Sequence, residues 1–94
     1  MSHPVDVHVG RRLKQARTLR RQSQTDVARE LKLSFQQIQK YEIGSNRIAA
    51  SRLHELARIL NVTPGYFFEG LDDDHPENSN DPSLEIVNAI GSIK

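Results

Sequence analysis

Ninety-four residues, 36% of them hydrophobic, suffice for one small domain with a modest core, and the lack of cysteine excludes a disulfide framework or a thiolate zinc site. No apolar run approaches a membrane span and the opening MSHPVDVHV has no signal-peptide pattern, so a soluble cytoplasmic protein is expected. The net charge of +1 hides an asymmetry: residues 10–60 hold twelve Lys/Arg against four acids, whereas residues 61–94 hold Lys94 against seven. A segment of net charge +8 followed by one of −6 points to a polyanionic partner for the first of them.

In chain order, residues 1–4 read as a flexible terminus. From about Val5 to Arg21 the spacing predicts a helix, with Val5, Val9, Leu13 and Ala16 forming one apolar stripe. Arg11, Arg12, Lys14, Arg20 and Arg21 lie on its other faces, where most such charges serve only solvation. Gln22 and Ser23 form a short link, and Ser23 is placed to cap a helix starting at Gln24.

The stretch QTDVARELKLSFQQIQKYEIG, Gln24 to Gly44, reads as two short helices joined by a tight turn. Val27, Ala28 and Leu31 mark the buried side of the first. Leu33 enters the turn and Ser34 offers a hydroxyl to cap the second. Ile38, Tyr41 and Glu42 then turn one way, Gln36, Gln37, Gln39 and Lys40 the other, and Gly44 suits a left-handed C-cap. Glutamine amides can pair bidentately with adenine, and lysine can reach guanine or a phosphate. A short helix bearing such donors fits the major groove of DNA. An ordinary solvated helix would carry the same glutamines, so this face alone leaves both readings open.

After Gly44, SNRIAA reads as a loop in which Ser45, Asn46 and Arg47 can contact a sugar-phosphate backbone. A helix from about Ala50 to Leu60 places Leu53, Leu56, Ala57 and Leu60 at core spacing, and Asn61 suits its end. Thr63-Pro64 reads as N-cap and first position of a short helix GYFFE ending near Gly70, with either Phe67 or Phe68 plugging the core. Residues 71–82 have the composition of an acidic linker. Ser83 can cap a last helix over 83–94, too apolar to be left in water, which packs on its own domain or on a second copy.

The run LKQARTLRRQSQTDVARELKLSFQQIQKYEIGSNRIAASRLHELARILNV resembles the helix-turn-helix family of phage repressors and Cro proteins, the XRE-type regulators. The similarity covers about Val9 to Gly70. It rests on Ser23-Gln24 before the first motif helix, Val27-Ala28 within it, Ser34 opening the second, and Ile38 followed by Tyr41-Glu42 and Gly44. The resemblance implies an all-α, lambda-repressor-like DNA-binding domain over residues 5–70, a five-helix bundle to which the C-terminal segment adds a sixth helix. It also implies roles. Gln24 and Ser34, with Ser45, Asn46 and Arg47, would contact phosphates, Gln24 aided by the positive end of its helix. Phe35, Gln36, Gln37, Gln39 and Lys40 would form the base-reading face, with Gln37 at its rim. Arg17 and Glu42 match a buried ion pair tying the first helix to the recognition helix.

Three positions depart from the family pattern. Lys32 stands where the family usually has Gly, which forces a positive φ on a residue with a side chain. Ile48-Ala49 replaces the usual Pro-Ser ahead of the fourth helix, leaving its start poorly capped. Phe35 replaces a polar base-reading residue; it can touch a thymine methyl or fold back onto the Ile38 stripe, and the packed role is slightly favoured.

Other chemistries fare poorly. HELAR, His54 to Arg58, lacks the second histidine of a HExxH zinc motif and lies on a core helix. Asp72-Asp73-Asp74-His75 reads as solvated linker before cation site. No phosphate-cradling Gly loop and no nucleophile–base pair occurs, so neither an enzyme nor a cofactor or metal is expected. The expectation is a sequence-specific regulator of transcription, a repressor by preference, reading an inverted repeat in double-stranded DNA as a homodimer. The competing reading is a protein-interaction module, an antitoxin-like or regulator-bridging subunit that binds a protein partner.

Overall fold

A computed structural model describes residues 2–71. The C-terminal helix expected over 83–94, and all of the acidic linker but Leu71, lie outside the described residues. The chain folds as α1 (Pro4–Leu19), α2 (Gln24–Leu31), α3 (Phe35–Ile43) and α4 (Ala50–Leu60), closed by a 3₁₀ turn, Pro64–Phe68. No strand occurs among the described residues, and none of the helices is long and apolar enough to cross a membrane.

α1 begins one residue earlier than the apolar stripe indicates. His3 is extended and its Nδ1 accepts from the Val5 backbone N–H at 3.1 Å, while Pro4 takes the first helical position, where no donor is needed. At the other end the helix stops at Leu19, short of the expected Arg21. The chain reverses there through Arg21, which has φ of +55°. Gln22 N–H reaches back to Arg17 O and Arg21 N–H to Thr18 O, each at 3.0 Å, the paired bonds of a Schellman motif.

All four α-helices end in this way. Lys32 at φ +58°, Gly44 at +80° and Asn61 at +56° repeat the left-handed residue after α2, α3 and α4. The long bond recurs each time: Leu33 N–H to Ala28 O, Ser45 N–H to Lys40 O, Val62 N–H to Ala57 O, between 2.9 and 3.1 Å. Arg20 adds a cap from another helix, its Nε and Nη2 donating to Leu60 O and Asn61 O at the end of α4.

Leu13 and Ala16 of α1, Val27 of α2, Ile38 of α3, Leu56 and Leu60 of α4 and Phe67 meet in one core. Of the two candidate plugs, Phe67 is fully buried and Phe68 is 44% exposed. The main contact of α1 is with α3, and two glycines bring them together. A Cβ on Gly10 would lie 2.3 Å from Tyr41 O and 2.6 Å from Glu42 O; one on Gly44 would lie 2.8 Å from Val7 Cα. The backbones touch where side chains would hold them apart.

The expected fifth helix over GYFFE is instead the 3₁₀ turn, displaced toward the N-terminus. Tyr66 N–H bonds Thr63 O at 3.0 Å and Glu69 N–H bonds Tyr66 O at 3.3 Å. Five residues make fewer than two turns, and the tighter winding brings Phe67 into the core within one turn of Pro64. Thr63 is extended as an N-cap would be, but its side chain makes no capping bond. Arg12 clamps the turn to α1, with its guanidinium 3.8 Å above the Tyr66 ring, Nε donating to Tyr66 O and Nη2 paired with Glu69 at 2.9 Å.

Candidate nucleic-acid interface

α2 and α3, joined by a left-handed turn at Lys32, form a helix-turn-helix. The start of α2 is fixed by a capping box. Ser23 Oγ accepts from Asp26 N–H at 2.9 Å and Asp26 Oδ2 accepts from Ser23 N–H at 2.8 Å. The Ser23 backbone N–H, then its hydroxyl, and more weakly the Arg29 charge hold the Asp26 carboxyl below its ordinary pKa of 3.8, against a small opposing effect of desolvation. Ser34 caps α3 through Oγ, which accepts from Gln37 N–H at 3.3 Å.

α3 divides cleanly. Ile38, Tyr41 and Glu42 are buried; Phe35, Gln36, Gln39 and Lys40 are exposed, and Gln37 is half-buried at the edge. Phe35 does not take the packed role. With 46% of its surface exposed it stays among the polar residues, because α3 meets the core only from Ile38 onward. Its ring is therefore on the face that holds the glutamines.

Below this face lies a buried polar junction. Arg17 donates from Nε to Glu42 Oε2 at 2.5 Å and from Nη2 to Oε1 at 3.1 Å, and its Nη1 bonds Gln22 O at 2.9 Å. Gln24 completes it, its amide donating to Glu42 Oε1 at 3.0 Å. The contact spans 18 positions and no local pattern announces it. It holds the Gln24 side chain at the first turn of α2, and among the described residues the amide oxygen and second N–H have no other partner.

The loop after α3 is drawn tightly against it. Ser45 and Asn46 N–H groups both bond Lys40 O, at 3.1 and 3.3 Å, and Ser45 Oγ donates to the same carbonyl. Ser45 and Arg47 are exposed, Asn46 half-buried. Arg47 is paired with Asp6 of α1 through Nε, 3.1 Å from Oδ2. Ala49 stands at the N-cap of α4 without a side-chain bond, as the Ile48-Ala49 departure implies. Beside the loop a groove of about 340 Å³ is lined by Val5, Val9, Ile48, Leu53 and Phe68, with Asp6 and Arg47 on its wall. Among the described residues no His, Cys, Asp and Glu come together in a group that could hold a metal ion.

Gln24, Ser34 and the residues from Phe35 to Arg47 thus belong to two short helices and one loop of a single helix-turn-helix unit. Known proteins share this arrangement in sequence. The helix-turn-helix family profile matches residues 13–67. A transcriptional regulator in the ATPase CF(0) region of Rhodospirillum rubrum is 50% identical over 76 residues, 81% of this chain and 70% of that protein. An HTH-type transcriptional regulator of Sinorhizobium medicae is 49% identical over 67 residues, 71% of this chain but 48% of its own length. One from Rickettsia conorii is 35% identical over 69 residues, 73% of this chain and 55% of its own. The chain therefore spans about half the length of several relatives it matches. The match across α1 to the 3₁₀ turn, with the geometry of α2 and α3, places the chain in the Cro/C1-type (XRE) helix-turn-helix family of DNA-binding transcriptional regulators.

Proposed function

We propose that the protein is a sequence-specific repressor that reads the major groove of an operator with α3, as a homodimer on an inverted repeat. The observation that carries this reading is the outer face of α3, where Phe35, Gln36, Gln39 and Lys40 are exposed together on a helix whose opposite side is locked into the core. Gln36 and Gln39 can each offer a donor and an acceptor to adenine, Phe35 an apolar surface to a thymine methyl, and Lys40 a donor to guanine or phosphate. Gln37 stands at the rim. Gln24, Ser34, Ser45, Asn46 and Arg47 flank this face and contact the two strands' phosphates, which sets register without reading sequence.

The test is selection of bound duplexes from random DNA, with affinity then followed across salt. An enriched inverted repeat is the expected result. Gln36→Ala should relax base preference at one position of that repeat by ~1–3 kcal/mol, whereas Arg47→Ala should weaken all sequences alike. Equal loss on specific and random DNA from Gln36→Ala would remove its base-reading role. Failure to enrich any motif, with weak binding lost at modest salt, would favour the protein-interaction reading. The half-exposed Phe68 on the wall of an apolar groove would then be the place to seek the partner.

A further inference from the structure

Asp6 lies in the first turn of α1, and both its oxygens accept from Arg47 Nε, at 3.1 and 3.3 Å. The residues are 41 positions apart, so the pair ties the start of α1 to the loop that follows α3. The two side chains differ in exposure, 17% for Asp6 and 72% for Arg47. Only Nε is engaged; neither Nη group has an acceptor among the described residues. The forked end of a guanidinium is the part that grips a phosphate with two parallel N–H bonds.

We infer that Asp6 is a positioning residue: it anchors Arg47 at Nε and presents the forked end to a DNA phosphate. This rests on the reading that Arg47 contacts the DNA backbone. An unanchored arginine samples many rotamers and loses that freedom on binding; one already held loses less. The opposing effect is repulsion between the Asp6 carboxylate and the phosphate. Asp6 is mostly covered and bonded directly to the guanidinium, whose positive charge lies between the carboxylate and the phosphate. Preorganisation therefore outweighs repulsion. Asp6 is also the one acidic residue before Asp26, so no other carboxylate of that stretch can replace it.

The experiment measures affinity of the full chain for a random-sequence duplex, for the wild type, Asp6→Asn, Arg47→Ala and the double variant, with thermal melting of each. Asp6→Asn should weaken binding about two- to tenfold, the effect of releasing one long side chain. In the Arg47→Ala background the same substitution should change affinity less than about twofold, because the side chain it positions is gone. Tighter binding by Asp6→Asn would show that the carboxylate masks Arg47, and overturn the proposal. So would equal losses in both backgrounds, which would mean that Asp6 acts only through the fold of α1. Loss of affinity in Arg47→Ala with none in Asp6→Asn would overturn positioning while leaving the phosphate contact intact. No change in Arg47→Ala itself would instead remove the contact on which the inference rests.

Discussion

Glu42 accepts from three N–H groups, two of Arg17 and one of Gln24, and its side chain is 4% exposed. A carboxylate so placed is acceptable only while its partners stay. Arg17→Ala removes two of the three donors and leaves a buried charge that Gln24 alone must satisfy. The expected loss is ~3–5 kcal/mol, read from urea unfolding. Replacing both members by apolar residues, as in Arg17→Met with Glu42→Leu, should recover most of it, because no uncompensated charge is then buried. If the double variant were as unstable as Arg17→Ala, the lost hydrogen bonds to Gln22 O and Gln24, and not the uncompensated charge, would be responsible. Under the proposed phosphate contact of Gln24, the same junction would bear on DNA, because the Gln24 amide is aligned by Glu42. Arg17→Ala should thus weaken DNA binding even at temperatures where the variant remains folded.

At the scale of the element, the position of α3 depends on how closely α1 approaches it. Gly10 faces the Tyr41 and Glu42 carbonyls at distances no Cβ tolerates. Gly10→Ala must push the two helices apart or bend α1. Overpacking of this kind costs ~1–3 kcal/mol, outweighing the gain in helix propensity of about 1 kcal/mol. DNA affinity should fall further than stability requires, because the face proposed to read bases moves with α3. Unchanged melting in Gly10→Ala would show that the contact is softer than it looks. Lys32→Gly should act in the opposite sense. A left-handed non-glycine residue is strained by about 1–2 kcal/mol, part of which glycine's greater freedom in the unfolded chain cancels, so a gain of roughly 0.5–1 kcal/mol is expected from thermal melting. The elements themselves were legible in the sequence: the stripe Val9, Leu13, Ala16, the cap at Ser23, the alternating faces of α3 and the core spacing of α4 are all local patterns. Their ends were less so. Arg21 carries no sign of the positive φ that stops α1, and one glycine inside a helix does not reveal which backbone it admits. The short GYFFE segment gave no period by which to tell a 3₁₀ turn from an α-helix. In the candidate site the outward residues of α3 were readable from periodicity, whereas Gln24–Glu42 and Asp6–Arg47 join residues brought together only by the fold.

At the scale of the whole molecule, α3 is too small to specify an operator alone. Nine residues at ~1.5 Å each span about 13 Å, enough for roughly four base pairs at ~3.4 Å per step. In the proposed homodimer a second copy would double the sequence read and impose a fixed separation, since both α3 helices would have to enter the same face of the duplex. Half-site centres should therefore lie about 10 base pairs apart, one helical turn of ~34–36 Å. Charge makes an accompanying prediction. Of the residues proposed to contact phosphate, Arg47 is the cation in each protomer, with Lys40 able to join it. Neutralising two to four phosphates per dimer gives a slope of log affinity against log salt of about −2 to −4. Inserting about five base pairs between the half-sites turns one of them to the opposite face of the duplex. Affinity should then drop toward that for a single half-site, with the salt slope halved. An insertion that left affinity and slope unchanged would mean that the two copies are not rigidly coupled, or that one copy suffices. Restoring a full turn with about ten added base pairs decides between these: recovery of binding requires two coupled copies able to span the longer distance, and an equal affinity at every spacing means a monomer reading one half-site.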